Sequence, residues 1–236
     1  MLRTLFFFIT FVPWTLFIIV TGIPLSFLSP DYLHTYSRLW GRVGLLLAGV
    51  GLRVEGLENL PAGQATIYMA NHQSNFDILA LFAGIPGQFR WLAKEELFHI
   101  PLFGLAMRRA GYIPIDRSDR VKAVQSMNEA ARRIDGGTSV AIFPEGTRSP
   151  DGNLLSFKKG GFMLALKSGA PIVPVAICGS YEIMPKHSRW IQGGTIRVRV
   201  FPPLPTAGAT AAERDRLMDE VRRSIATALE GTNRDS

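Results

Sequence analysis

His72 and Asp77 stand five residues apart in the stretch Ala70-Asn71-His72-Gln73-Ser74-Asn75-Phe76-Asp77. They are the residue types that base catalysis needs. A neutral imidazole can take a proton from a hydroxyl, and a carboxylate on its other nitrogen orients the ring and stabilises the imidazolium that forms. On a continuous helix five residues rotate the side chain by about 140°, so the two would point apart. They converge only if His72 lies on a turn and Asp77 in the first turn of a helix. The flanking pattern predicts this. Ile67-Tyr68-Met69 reads as the end of a buried strand, and Ile78-Leu79-Ala80-Leu81-Phe82 as the start of an apolar helix. Ser74 or Asn75 is then the expected N-cap. Taken alone, the pair is equally a capping aspartate beside a loop histidine, and the rest of the chain has to decide.

A second cluster, Phe143-Pro144-Glu145-Gly146-Thr147-Arg148-Ser149, follows the apolar strand pattern Val140-Ala141-Ile142. Glu145, Gly146, Thr147 and Arg148 at a strand's C-terminal edge suit a polar, anionic ligand. Gly146 lets backbone approach closely, Arg148 presents a planar fork for phosphate, and Glu145 can accept from a hydroxyl. A third, Phe157-Lys158-Lys159-Gly160-Gly161, places two lysines before a glycine-opened helix, whose N-terminus favours an anion. A fourth, Gly111 to Arg117, ends a short apolar strand with the pair Asp116-Arg117. Ala170 to Val175 carries no reactive group and reads as a supporting strand.

The elements that must position these residues alternate between strand and helix. Strands are predicted at 53–56, 65–69, 89–93, 112–115, 139–143, 171–177 and 195–201. Helices are predicted at 76–83, 95–98, 101–109, 120–134 and 161–167, with a last helix whose inward stripe is Leu217, Val221, Ile225 and Leu229. The expected fold class is α/β, a single domain over 51–236 with a mixed, largely parallel sheet flanked by helices.

Residues 1–50 read differently. Leu5 to Leu28 is almost wholly apolar, with no charge between Arg3 and Asp31, and is long enough to span a bilayer. Pro13 and Pro24 are expected to bend or break a helix here. An amphipathic stretch follows, interrupted by Arg38 and Arg42. The pair crosses the membrane and returns, or lies as a helical hairpin within one leaflet, which the two arginines favour, or else is a buried core hairpin, which would have to absorb an unusually apolar first helix. Because the connection at Ser29 to His34 lacks Lys and Arg, residues from Arg53 onward are placed on the cytoplasmic face of the inner membrane.

The chain has 236 residues and a net charge of +7, which suits anionic lipid headgroups or phosphorylated substrates. Cys178 is its one cysteine, so no internal disulfide forms, and no CxxC, HExxH or Cys/His cluster announces a metal. The basic residues are not interleaved with aromatics in any nucleic-acid-binding module, so no nucleic-acid partner is expected.

In order and spacing, the blocks Asn71 to Asp77, Ile115-Asp116-Arg117, Phe143 to Ser149 and Ile172-Val173-Pro174-Val175 resemble the glycerolipid acyltransferase superfamily, the 1-acylglycerol-3-phosphate acyltransferases in particular. One departure is Pro114, where the second block usually has an aromatic residue. The resemblance implies acyl transfer from an acyl carrier protein or coenzyme A thioester to the hydroxyl of a lysophospholipid, without a further cofactor. It implies that His72 is the base of the HX4D motif and Asp77 its relay partner. It assigns Glu145, Gly146, Thr147 and Arg148 to the acceptor, Arg117 to the acceptor phosphate, and Lys158 to the lysine of the family's Phe-Lys-x-Gly pattern. No Gly-x-Ser-x-Gly nucleophile is present, so direct transfer is expected, with N–H groups following Ser74 as candidate oxyanion donors. The same chemistry on another lysolipid, such as a lyso-ornithine lipid, is the nearest alternative. A membrane-bound thioesterase is a more distant one, since water needs no basic cluster.

Overall fold

The computed structural model describes residues 1–116 and 119–232. Its centre is a seven-stranded sheet of β1 (Val50–Glu55), β2 (Ile67–Ala70), β3 (Phe89–Lys94), β4 (Ile113–Ile115), β5 (Ser139–Ile142), β6 (Ile172–Cys178) and β7 (Gly194–Val200). The spatial order is β1-β7-β6-β2-β5-β3-β4. Every neighbouring pair is parallel except β6 and β7. The expected mixed, largely parallel sheet is therefore present. Pro114 sits in β4, an edge strand, the place in a sheet that tolerates proline.

Among the described residues, eight α-helices pack around the sheet: α1 (Leu2–Leu25), α2 (Pro30–Ala48), α3 (Phe76–Gly84), α4 (Phe103–Arg109), α5 (Arg120–Asp135), α6 (Lys159–Ser168), α7 (Ser180–Ile183) and α8 (Arg214–Thr232), and the helix expected at 95–98 is a 3-10 turn over Glu95–His99. Strand alternation sorts them into two layers. In β2, Tyr68 and Ala70 join the apolar cluster under α1 to α4, while Ile67 and Met69 join the one under α5, α6 and α8. The short α7 carries too little periodicity to be read from the sequence.

α1 is one helix through both prolines, against the expected break. Pro24 stands one residue before its end. Pro13 removes one N–H from the ladder, but the helix is held along its length by tertiary contacts. Near its start, the Thr4 hydroxyl accepts from the Ile191 N–H at 2.9 Å. At mid-helix, Trp40 Nε1 donates to Thr15 Oγ1 at 2.8 Å. Just past its end, Arg109 donates to Ser26 Oγ and to the Ser26 carbonyl, both at 3.0 Å. A helix of 24 residues is about 36 Å long, so α1 lies flat along the domain rather than projecting from it.

α2 begins at an N-cap, Ser29, that accepts from the Asp31 N–H, and ends at Gly49 in the left-handed region. It presses closely on α3: a Cβ at Gly41 would stand 2.7 Å from the Leu79 carbonyl oxygen. The hairpin and the α/β body share one core, in which Phe7, Ile19 and Leu45 join Phe76, Leu79 and Phe82. The outer face of α1 is left uncovered, with Leu5, Phe6, Ile9, Val12, Phe17 and Val20 all exposed.

Candidate active site

Parallel strands β2, β3 and β5 end at one edge of the sheet, and the segments that follow them meet there. After β2 the chain turns before α3. His72 Nδ1 lies 2.8 Å from Asp77 Oδ2 across this turn. The same Oδ2 accepts the Gln73 N–H at 2.7 Å and the Ser74 N–H at 2.8 Å. Asp77 thus caps the turn with its own side chain. Of the two expected N-caps, Asn75 holds the position but makes no side-chain cap bond, while Ser74 Oγ accepts the Phe76 N–H at 3.2 Å and donates to the Met184 carbonyl at 2.8 Å. A fully buried carboxylate beside Nδ1 fixes the proton on that nitrogen, leaving Nε2 with a lone pair.

The loop after β5 clasps the His72 backbone from both sides. Glu145 Oε1 accepts the His72 N–H at 2.7 Å, and the Ser149 N–H donates to the His72 carbonyl at 2.7 Å. The second Glu145 oxygen accepts the Leu155 N–H at 2.9 Å. Glu145 is 2% exposed, so its carboxylate braces the loops rather than facing the cavity. Burial pushes its pKa up to about 7, against the two N–H groups that favour the ionised form. Asn71 anchors the turn from the other side, exchanging hydrogen bonds of 2.8 and 2.7 Å with the Ile177 backbone in β6. Phe143 stacks on the imidazole with ring centroids 3.9 Å apart, and Trp91 stacks on Phe143 in turn.

A cavity of about 420 Å³ reaches His72. Its walls are mainly apolar: Ile18 and Ile19 of α1, Leu33 and Trp40 of α2, Ile78 and Phe82 of α3, and Phe103 and Met107 of α4. Gly146, Thr147 and Arg148 line it too, as does Lys94 at the end of β3. Lys186 donates to Thr147 Oγ1 at 3.2 Å, so a third cation stands close by.

Of the residues singled out in the sequence, His72, Gly146, Thr147 and Arg148 therefore share one cavity, with Asp77 directly behind His72. Lys158 is exposed at the N-cap of α6 and is not part of the lining. Arg117 lies outside the described residues. The N–H groups of Gln73, Ser74, Phe76, Asp77 and Ile78 all have acceptors within the turn, which removes them as oxyanion donors. The sequence reading missed Lys94 and Trp91, and named Phe143 without its stacking on His72. A signal existed for Lys94, because residues that follow a parallel strand next to β5 must arrive at the same edge.

The description Acyltransferase belongs to the family model that matches residues 51–178. The human 1-acyl-sn-glycerol-3-phosphate acyltransferase alpha is 35% identical over 221 residues, covering 92% of this chain and 77% of that protein. The chloroplastic 1-acyl-sn-glycerol-3-phosphate acyltransferase BAT2 of Brassica napus is 34% identical over 218 residues, covering 90% of this chain and 61% of the relative. The chain belongs to the 1-acyl-sn-glycerol-3-phosphate acyltransferase family. The crystal structure of the 1-acyl-sn-glycerophosphate acyltransferase PlsC from Thermotoga maritima agrees, with a TM-score of 0.84 at 30% identity, over 98% of this chain and 95% of that one. The chain is thus an acyltransferase.

Proposed function

We propose that the enzyme transfers a fatty acyl group from a carrier-protein or coenzyme A thioester to the sn-2 hydroxyl of 1-acylglycerol-3-phosphate, giving phosphatidate. The observation that carries this reading is the His72–Asp77 pair opening onto an apolar cavity beside Arg148 and Lys94. His72 Nε2 takes the proton of the acceptor hydroxyl as its oxygen attacks the thioester carbonyl carbon. Asp77 stabilises the imidazolium, a contribution of roughly 10²–10⁴-fold for general base catalysis. The intermediate collapses, the carbon–sulfur bond breaks, and His72 returns the proton to the leaving sulfur. Arg148 and Lys94 hold the acceptor phosphate, and the apolar cavity holds an acyl chain.

The hairpin supports a matching location. Its uncovered apolar face lies in one membrane leaflet on the cytoplasmic side, with the cavity at the depth of the lipid headgroups. Flat packing of α1 against the domain favours this placement over a span.

The test is transfer of a labelled acyl group from each thioester to lysophosphatidate in vesicles, wild type against His72→Ala. Transfer by the wild type that vanishes in a folded, membrane-bound variant is the expected result. No wild-type transfer to lysophosphatidate would overturn the acceptor, and full activity in His72→Ala would overturn the base.

A further inference from the structure

Leu102 is the one non-glycine residue with positive φ among the described residues, at 59°. Its ψ is −51°, and the Phe103 N–H donates to the Pro101 carbonyl at 2.6 Å. These are the marks of a γ-turn of the rare, strained hand, which glycine adopts freely and leucine does not. The strained side chain is not buried in compensation. Leu102 is 50% exposed, and Ile100 and Leu105 beside it are 47% and 41% exposed. The turn cannot relax, because Gly104 is pressed on the Phe98 carbonyl, which a Cβ would meet at 2.0 Å.

The place of this turn in the fold says what covers it. α4 is tied to the tip of the α1–α2 hairpin, where the Arg109 guanidinium lies 3.9 Å over the Phe27 ring while donating to Ser26. Phe27 and Leu28 at that tip are exposed as well. α4 thus joins the apolar turn at its N-terminal end to the exposed hairpin tip at its C-terminal end. Cationic Arg108 and Arg109 stand beside it on a chain of net charge +7, as an anionic lipid surface requires.

We propose that the turn Ile100–Leu105 is a second membrane-inserting element, which enters the same leaflet as the hairpin tip. The proposal rests on the reading that the hairpin's outer face lies in lipid. Its consequence is mechanical. α1 supplies one wall of the cavity through Ile18 and Ile19, and α4 supplies another through Phe103 and Met107. Anchoring both walls fixes the tilt of the cavity relative to the bilayer, which one hairpin alone would leave free.

The experiment uses the full chain in a Cys178→Ala background, with an environment-sensitive fluorophore on Leu102→Cys, Phe17→Cys or Arg223→Cys. Vesicles contain phosphatidylcholine and phosphatidylglycerol with brominated acyl chains. Quenching at positions 102 and 17 but not at 223 is the expected result. Quenching at 17 without quenching at 102 would overturn the proposal and leave the hairpin reading standing. Quenching at neither would overturn both. A second variant, Leu102→Gly, suits the backbone and should be more heat-stable in detergent, yet partition to these vesicles about tenfold more weakly. Partitioning equal to that of the wild type would also count against the proposal.

Discussion

Glu145 and His72 are 73 positions apart, yet the Glu145 carboxylate accepts the His72 backbone N–H at 2.7 Å. Its other oxygen holds Leu155, so one buried side chain braces the histidine turn and the loop after β5 together. A residue that the family resemblance assigns to the acceptor acts here, by geometry, on the backbone of His72.

Ionisation of Glu145 should therefore appear in the stability of the enzyme. Its pKa is raised from 4.5 to about 7, so the folded state binds the proton more tightly than the unfolded chain does. The contribution is present below pH 4.5 and is lost as pH rises toward about 7. Glu145→Gln, which does not titrate, should lack this decline. Thermal melts of both proteins across that window check it, and parallel curves would contradict it.

His72 and Asp77 should separate when each is replaced. His72→Ala should cost activity roughly 10²–10⁴-fold with little change in melting temperature. Asp77→Ala should cost activity and also stability, because it leaves the Gln73 and Ser74 N–H groups without their acceptor, at roughly 1–3 kcal/mol each. Equal melting temperatures for the two variants would argue against the capping role of Asp77.

Lys94→Ala and Arg148→Ala should raise the acceptor KM about tenfold or more, the worth of a charge-assisted hydrogen bond, and leave the donor KM near its wild-type value. Kinetics with each substrate varied in turn would show this split. An effect on the donor alone would move the phosphate elsewhere.

Ala106 lies on the α4 wall of the cavity. Ala106→Phe should shift preference toward shorter acyl chains, by about tenfold per excluded methylene. A competition assay with thioesters of graded length reads it, and an unchanged profile would place the chain outside this cavity.

Removal of residues 1–50 should not yield a folded, soluble α/β body. Phe7, Ile19 and Leu45 complete the cluster that covers Leu79 and Phe82 on α3, so the shortened chain would expose an apolar helix face. Gel filtration and near-ultraviolet circular dichroism of the shortened chain are the direct checks.

The sequence by itself determined what depends on short-range pattern. The alternation of apolar strands with amphipathic helices specified an α/β sheet, because side-chain periodicity states which faces are buried. The five-residue spacing of His72 and Asp77 specified their meeting, because a turn followed by a helix start is the one local path that brings them together. Arg148 and Thr147 were legible for a similar reason, as residues following a buried strand. What only the tertiary structure decided lies between segments remote in the chain. It turned Glu145 inward to brace His72, brought Lys94 to the cavity, and left Lys158 outside it. It also carried α1 straight through Pro13 and laid it along the domain. Local propensity counts the hydrogen bond that a proline removes, whereas contacts at Thr4, Thr15 and Ser26 come from residues 25 to 187 positions away. No window of sequence holds both partners, so these relations exist only once the sheet has gathered its edges.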